Sequence, residues 1–345
     1  MKIVPRGGQD SLAEADSARA KTRGYDRNMR FRGPLCLLVS AFLGAQDTPR
    51  PAIRTSVPLV LVPASVTDSA GKPLNGLEES DFLLYEGNKV RAHRLETVTQ
   101  PVAVLFAVQA NRRADPALRK LPAISSMVLP LIAGEGGKAA VLSFGDRIEM
   151  LQDFSRDAGE IAAAFRALRG SGEGARTIDA VDEGIARLER LDRRYRKVIV
   201  LIGETRDRSS EMQLEEVLRN AAKSNVTVYP VSFSVYLTAF TTKPSEYQNG
   251  TSLNIIAGIQ ELARLGKPKA ADALAAATGG LALSFARLRR LEEILLRVGD
   301  DLHQQYLLTF TPGDGPEGYR DLRVEVRGRT GVTVRFRPGY WASIQ

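Results

Sequence analysis

The middle of the chain repeats a pattern of short apolar runs that alternate with segments of helical periodicity. The apolar runs fall at residues 102–108, 138–144, 197–203 and 226–233. Runs of this length between helices are typical of parallel strands that are buried on both faces. The pattern therefore predicts an α/β fold with a doubly wound, Rossmann-like sheet over residues 100–304.

Helical periodicity accounts for most of the chain between these strands. The predicted helices lie at residues 114–133, 157–168, 178–191, 211–223, 271–277 and 288–304. Pro122 and Pro130 interrupt the first of them, because proline lacks a backbone N–H. Between about 235 and 270 the chain is polar and irregular apart from one short helix. Long loops of this kind are usually functional or mobile, so we interpret this segment as an insertion in the α/β domain.

Apolar and polar residues alternate at both ends of the chain, as they do in half-buried antiparallel strands. Residues 55–99 include a strand at 57–66, and its Pro58 and Pro63 favour an edge position in a sheet. Residues 305–345 contain three more strands, at 305–311, 322–326 and 332–337. Because the first unit is too small to bury a good core alone, we expect both ends to form one small β-sandwich-like domain.

Residues 29–45 have the three parts of a secretory signal peptide. Arg30 and Arg32 form a positive start, an apolar core of about ten residues follows, and small residues end the segment. That core is too short to span about 30 Å of hydrocarbon as a helix, so no transmembrane segment is expected after cleavage. Residues 1–28 are interpreted as a disordered upstream extension and 46–54 as a linker. The protein is therefore predicted to be exported, to the periplasm or the cell exterior.

Charge and metal-binding residue types exclude several classes of function. The net charge of the 345 residues is +8; removing eight basic and four acidic residues of 1–45 leaves 40 basic and 36 acidic residues, a net of +4. A field this weak does not indicate nucleic acid as a partner. The one cysteine, Cys36, lies in the predicted leader, and His93 and His303 are far apart in sequence. Neither a disulfide framework nor a site of Cys or His ligands is expected.

Segments near both ends of the chain resemble a known family. Its leading pattern, VxVTDxxGxxVxGLxxxDFxLYEDG, is matched by residues 60–68, Gly76-Leu77, Asp81-Phe82 and Tyr85-Glu86, and its closing pattern, QYxLxYxP…RxGY, by Gln305-Tyr306 and residues 335–340. The chain thus resembles the bacterial, acidobacterial "VWFA-related" group of von Willebrand factor A (VWA) domain proteins. The resemblance covers most of the chain after the leader. It implies a Rossmann-like VWA sheet with a metal-ion-dependent adhesion site (MIDAS) at its carboxyl edge.

A MIDAS takes its ligands from an Asp-x-Ser-x-Ser run after the first strand, a Thr in a later loop and an Asp after the fourth strand. The resemblance maps these positions onto Ala107, Gln109, Asn111, Thr177 and Glu204. None of the first three ligands is kept, since alanine has no side-chain oxygen and the other two residues are neutral amides. We interpret these amides as hydrogen-bonded groups that hold loops.

Magnesium requires near-octahedral oxygen ligands and gives up its waters reluctantly. One carboxylate and one hydroxyl are too few for a dedicated site, so we expect a degenerate MIDAS and no cofactor. If Mg²⁺ or Mn²⁺ binds here, Thr177 and Glu204 are the expected ligands. Arg112 and Arg113 follow the first strand, and we hypothesise that they put positive charge where the cation would lie.

The loops at residues 109–116, 170–177, 204–210 and 236–254 are expected to form the binding face. The candidate partner contacts in or near them are Arg112, Arg113, Arg206, Arg208 and Phe240. The arginines favour an acidic protein partner, because guanidinium groups pair well with carboxylates.

Other motifs give weaker indications. The glycine-rich residues 134–139 lack the Ser or Thr that follows the Lys of a phosphate loop, and no G-x-S-x-G nucleophile motif is present. The basic run RLDRRYRK at 190–197 is interpreted as a solvated helix end, with a polyanion-binding patch as the alternative. Asp179 and Asp182 are interpreted as acids that favour the dipole at the start of a helix.

Together these patterns favour an exported, non-enzymatic protein-interaction module of the adhesion type. One alternative is a metal-dependent hydrolase, which would place Glu204 and Asp207 in one concave pocket with a third acid. The other alternative is a purely structural envelope protein. Exposed apolar residues on the loops would favour the binding module over that alternative.

Overall fold

Fourteen strands in the described part of the chain form three sheets. The structure is a computed structural model that describes residues 59–96, 100–204, 206–233, 269–285, 287 and 290–342. The strands are β1 (Val60–Thr67), β2 (Phe82–Glu86), β3 (Lys89–Arg91), β4 (His93–Glu96), β5 (Val102–Gln109), β6 (Lys138–Phe144), β7 (Ile148–Ser155), β8 (Arg196–Gly203), β9 (Val226–Phe233), β10 (Leu283–Phe285), β11 (Tyr306–Phe310), β12 (Gly318–Val326), β13 (Thr333–Phe336) and β14 (Gly339–Ala342).

The largest sheet has the strand order β10-β9-β8-β5-β6-β7. Its neighbouring strands are parallel except for β6 and β7, which form an antiparallel pair. Every residue of β5 and β9 is buried, so both faces of the sheet are covered. Gln109 pairs with Phe144, and Val108 pairs with Ile202. This register brings the carboxyl ends of β5, β6 and β8 to one edge.

Helices pack on both faces of this sheet. In the described residues they are α1 (Asp115–Leu118), α2 (Leu121–Val128), α3 (Ala158–Ala167), α4 (Thr177–Glu189), α5 (Leu214–Ser224), α6 (Ala270–Thr278) and α7 (Leu291–His303). One apolar cluster joins the sheet to α2, α3 and α7, and a second joins its opposite face to α4, α5 and α6. Successive side chains of β5 enter the two clusters in turn, which confirms the doubly wound sheet. None of these helices is both long and apolar enough to cross a membrane.

The two remaining sheets, β13-β1-β11-β4 and β14-β12-β2-β3, share a third apolar cluster. Strand β1 pairs with β11, and β2 pairs with β12, so strands from both ends of the chain alternate in these sheets. This arrangement confirms the fold class, including the small β-sandwich-like unit built from the N-terminal and C-terminal strands. The domain boundaries given above stay predictions.

Strand β1 is not an edge strand, although Pro63 favoured that position; Pro58 lies outside the described residues. The strand lies between β11 and β13, but β11 pairs with residues 60–64 and β13 with residues 64–67. Because β13 runs antiparallel and its last residue, Phe336, pairs with Ala64, Pro63 lies just beyond the end of β13, and its missing N–H interrupts no ladder on that side. The prediction of an edge position was wrong because β1 has a neighbour on each side, but each neighbour pairs with only part of the strand.

The segment predicted as one helix over 114–133 is divided into α1, α2 and a π-helical turn at Leu129–Ala133. Pro122 lies in the first turn of α2, where the N–H that it lacks would have no helical partner. Pro130 lies in the π-helical turn, which closes with a hydrogen bond from the N–H of Gly134 to the carbonyl of Leu129 at 3.0 Å. The two prolines thus mark the positions at which the helix changes.

A buried ion pair joins the β-sandwich-like unit to the α/β sheet. Arg335 of β13 contacts the carboxylate of Asp301 on α7, and both side chains are largely buried. The same carboxylate accepts hydrogen bonds from the hydroxyls of Ser65 at 3.1 Å and Tyr229 at 2.8 Å. Burial alone would lower the pKa of Arg335, but Asp301 outweighs that effect and raises it. One carboxylate therefore holds β1, β9 and β13 together.

We expect Asp301→Ala to lower the free energy of unfolding by about 3–5 kcal/mol, because it leaves the buried guanidinium of Arg335 without its counter-ion. Urea denaturation followed by circular dichroism measures the change. Arg219→Ala breaks an exposed pair with Glu215 on α5 and serves as the control, with an expected loss of about 0.5 kcal/mol or less. Equal losses in the two variants would contradict the role assigned to Asp301.

Candidate functional site

The mapped residues lie around the edge of the large sheet where β5, β6 and β8 end. Ala107 and Gln109 are in β5, Asn111 follows it, and Glu204 follows β8. Thr177 is the first residue of α4. Parallel strands end at the same edge, so the fold places these five sequence positions in one region. Their contacts decide what the region can do.

Ala107 contributes no polar atom to this region. It is fully buried, and its methyl group belongs to the apolar cluster that joins the sheet to α4, α5 and α6. This position therefore serves the core.

Gln109 is fully buried and connects the ends of β5 and β8. Its Oε1 accepts a hydrogen bond from the N–H of Glu204 at 2.7 Å, and its Nε2 donates to Oε2 of Glu204 at 3.4 Å. Gly203 makes this approach feasible, since a Cβ there would lie 2.8 Å from Oε1 of Gln109. The amide thus fixes the start of the loop after β8.

Asn111 holds a second pair of loops. Its Nδ2 donates to the carbonyl of Gly174 at 2.9 Å, and its Oδ1 accepts from the N–H of Ala114 at 3.0 Å, just before α1. Asp146 contributes from the loop after β6, because its Oδ1 accepts from the N–H of Gly174 at 2.8 Å. A Cβ at Gly172 would clash with the same carboxylate. The glycine-rich loop at 170–174 is therefore shaped by Asp146, a residue that the sequence patterns did not single out.

Thr177 has a buried hydroxyl that contacts no hydrogen-bond partner among the described residues. The start of its helix is instead capped from the loop after β8. The N–H of Ile178 donates to Oδ1 of Asp207 at 3.2 Å and to Oγ of Ser210 at 3.1 Å. Oxygen atoms that accept from the first N–H groups of a helix are favourable caps. Asp207 is therefore turned towards α4 and away from solvent.

Asp179 holds the same loop from the other side. Its carboxylate accepts from the N–H groups of Glu211 and Met212, and from Nε of Arg176 at 2.7 Å. Burial would raise the pKa of Asp179, but these hydrogen bonds outweigh it and lower the pKa below its usual 3.8. The sequence correctly placed Asp179 in the first turn of α4; the long-range contacts carry no sequence signal.

The positive charge beside Glu204 comes from Arg208. It does not come from Arg112 or Arg113. Nε of Arg208 lies 3.4 Å from Oε2 of Glu204. Arg112 and Arg113 instead face Glu173, at 4.0 and 3.3 Å. The hypothesis that this pair of arginines takes the place of the cation stays a prediction; in the structure both arginines pair with Glu173 of the loop at 170–174.

These donors do not fit a magnesium or manganese ion. The two amides are occupied by backbone groups, and Glu204 is paired with an arginine and an amide. Among the residues that the structure describes, no three His, Cys, Asp or Glu side chains group as metal ligands. What remains is the neutral hydroxyl of Thr177, far short of the oxygen set that these ions need. Phe240 and the segment 236–254 lie outside the described residues.

No protein-family model and no curated protein matches this chain. The solved structures similar to it include BatB from Bacteroides thetaiotaomicron (11% identity, TM-score 0.41, 59% of this chain and 99% of that chain). They also include von Willebrand factor type A from Catenulispora acidiphila (10% identity, TM-score 0.45, 84% of this chain and 74% of that chain). A third is the vWF domain of the type V pili tip protein Mfa5 from Porphyromonas gingivalis (10% identity, TM-score 0.41, 60% of this chain and 96% of that chain). At these identities and TM-scores, the likeness says nothing about what this chain binds.

We expect Asp179→Asn to destabilise the protein at neutral pH and to matter less in acid. A carboxylate whose pKa is lower in the folded state stabilises that state above its unfolded pKa, here 3.8, and loses the contribution as pH falls through the folded pKa. Urea denaturation between about pH 7 and about pH 2.5 should therefore show the difference from wild type shrinking on acidification. Asp115→Asn, on α1, is the control. A difference that is constant across the series would contradict the assignment.

Proposed function

We propose that the protein is an exported, non-enzymatic module that binds another protein through the carboxyl edge of its large sheet, without a metal ion. The observation that carries this proposal is the network at that edge. Gln109, Asn111 and Glu204 direct their polar atoms at neighbouring loops, while arginines lie at the rim. The module would be periplasmic or extracellular, as the signal peptide predicted at residues 29–45 implies.

The network supports a binding surface that is shaped in advance. Each amide joins loops that are distant in sequence, and Asp207 and Asp179 fasten the loop after β8 to α4. Loops held in this way lose little conformational freedom when a partner binds, so less of the interaction energy is spent on ordering them. An intact MIDAS is thought to bind its ligand by letting a partner's carboxylate complete the metal coordination. Here contact rests on protein groups alone.

The arginine rim consists of Arg112, Arg113, Arg206 and Arg208, and all four are exposed. Arg112 and Arg113 share Glu173, whose side chain is 60% exposed. Exposed ion pairs of this kind contribute about 0–1 kcal/mol, so a partner's carboxylate can compete for these guanidinium groups. No carboxylate of a described residue lies within 4.0 Å of Arg206. The rim therefore favours an acidic partner surface.

The hydrolase alternative receives no support from the acids it requires. Asp207 is buried and caps α4, whereas Glu204 faces Gln109 and Arg208. The two carboxylates thus serve different structural contacts.

We expect isothermal titration with MgCl₂ or MnCl₂ to show no micromolar binding to the purified protein, because the mapped positions offer one carboxylate that is already paired. Glu204→Ala should give the same heats as wild type. Micromolar binding that disappears in Glu204→Ala would contradict the metal-free site.

We expect reversal of the rim charges to weaken partner binding by about tenfold or more, since each reversal replaces attraction by repulsion at the contact. Immobilised protein would be used to capture its partner from the native envelope fraction, in parallel with Arg112→Glu/Arg113→Glu and Arg206→Glu/Arg208→Glu. The matched control is Arg219→Glu/Arg290→Glu, on α5 and at the start of α7. Unchanged capture by both rim variants would contradict the acidic-partner proposal, as would an equal loss in the control.

A further inference from the structure

Basic residues collect at the opposite edge of the large sheet, where β6 and β8 begin. Lys138 opens β6 and Lys197 is the second residue of β8, and both pair with Ala103 of β5. Strand β7 runs antiparallel to β6, so its end brings Arg156 to the same edge. Arg194 lies just before β8. This edge is remote from the arginine rim, and the proposed function makes no use of it.

Tyr195 lies at the centre of this group and is only 6% exposed. Its ring packs in the apolar cluster under α4, α5 and α6. Its hydroxyl accepts hydrogen bonds from Arg156 at 2.8 Å and from Arg194 at 3.3 Å. The ammonium of Lys138 lies 4.7 Å from the ring centroid. The ring thus fixes one hydroxyl at a point where two guanidinium groups meet.

The hydrogen bonds of this cluster leave donors without acceptors. A tyrosine hydroxyl has two acceptor lone pairs and one proton to donate. Arg156 and Arg194 occupy its acceptor side, and none of the described residues accepts its proton. Each guanidinium also carries further N–H groups beyond the one that contacts the hydroxyl. Within the part of the chain that the structure describes, no protein group accepts the hydroxyl proton of Tyr195, and the remaining N–H groups of the two exposed arginines face solvent.

The cluster also carries more positive charge than nearby carboxylates neutralise. Among described residues, no carboxylate lies within 4.0 Å of the side-chain nitrogens of Lys138, Arg156 or Arg194, although Asp192 accepts a hydrogen bond from the backbone N–H of Arg194 at 2.8 Å. Glu189 and Asp192 lie near this edge and attract the neighbouring Lys197, whose pKa is nevertheless lowered by burial and, to a smaller extent, by Arg193. Cations held this close to one another repel unless an anion lies between them. The hydrogen bond from Arg156 also lowers the pKa of the Tyr195 hydroxyl.

We propose that Arg156, Arg194 and the hydroxyl of Tyr195 form a binding site for a phosphate group, with Lys138 adding positive charge. The oxygens of a fully ionised phosphate accept hydrogen bonds and donate none, and guanidinium groups bind them in a bidentate geometry. A single fixed hydroxyl between two arginines suits one tetrahedral oxyanion better than an extended polymer. The basic run at 190–197, interpreted from sequence as a solvated helix end, thus supplies part of a compact site.

The test is isothermal titration of the full chain with sodium phosphate at low ionic strength, where saturable millimolar binding is expected. Tyr195→Phe keeps the ring and its contact with Lys138 but removes the hydroxyl, and Arg156→Gln removes an exposed charge. Each should weaken binding by about tenfold or more. Arg219→Gln, an exposed arginine on α5, should bind like wild type. Circular dichroism confirms that each variant is folded.

A second arm distinguishes a free phosphate from one carried by a membrane. Phosphatidylcholine vesicles with and without phosphatidic acid are sedimented with the same four proteins. Binding in either arm that is lost in Tyr195→Phe and Arg156→Gln supports the site and identifies the source. Absence of binding in both arms overturns the proposal. So does binding that the two variants retain, since it would then come from general surface charge.

Discussion

The contact between Asp301 and Arg335 is the constraint on which the rest of the structure depends. It brings a helix of the α/β part, a central strand and two strands of the sandwich-like unit to one buried carboxylate. Charges in such a place tolerate few alternative arrangements, because any shift that separates them leaves an unpaired ion in the core. The ion pair, with its hydroxyl neighbours, selects one position.

The two edges of the large sheet illustrate opposite uses of polar groups. At the carboxyl edge, the side-chain amides of Gln109 and Asn111 form hydrogen bonds with backbone groups of neighbouring loops, so these amides hold the loops in place. At the amino edge, Tyr195 gathers arginines whose donors exceed the acceptors around them. A fully satisfied hydrogen-bond network makes a rigid scaffold, whereas the arginines around Tyr195 keep donors that a bound anion could accept. The same fold therefore offers two surfaces with different physical characters.

Sequence patterns predicted the fold where local periodicity determines it. The apolar run at residues 102–108, which forms most of β5, was evident, as were the paired ends of the chain. Strand β14 was not predicted at all: the last predicted strand ended at residue 337, because Pro338 and Gly339 read as a break and only three residues of the strand follow them. At the site, the strand ends gave the positions of Gln109 and Glu204 but not their partners. The choice of Arg208 over Arg112 depends on loop conformation, and the Gln109–Glu204 contact spans 95 residues. The periodicity of apolar and polar residues carries no information about contacts between residues this far apart in sequence.

The sandwich-like unit has a consequence for how the chain is made. Ser65 and Arg335, which meet in the buried joint, are 270 residues apart. At about 5–20 residues per second, a ribosome needs roughly 15–50 seconds to synthesise the partner after the first strand emerges. During that interval β1 and β2 have unpaired edges, the condition that favours aggregation. Synthesis therefore includes an interval in which β1 and β2 must stay unfolded, until the C-terminal strands that pair with them have been made.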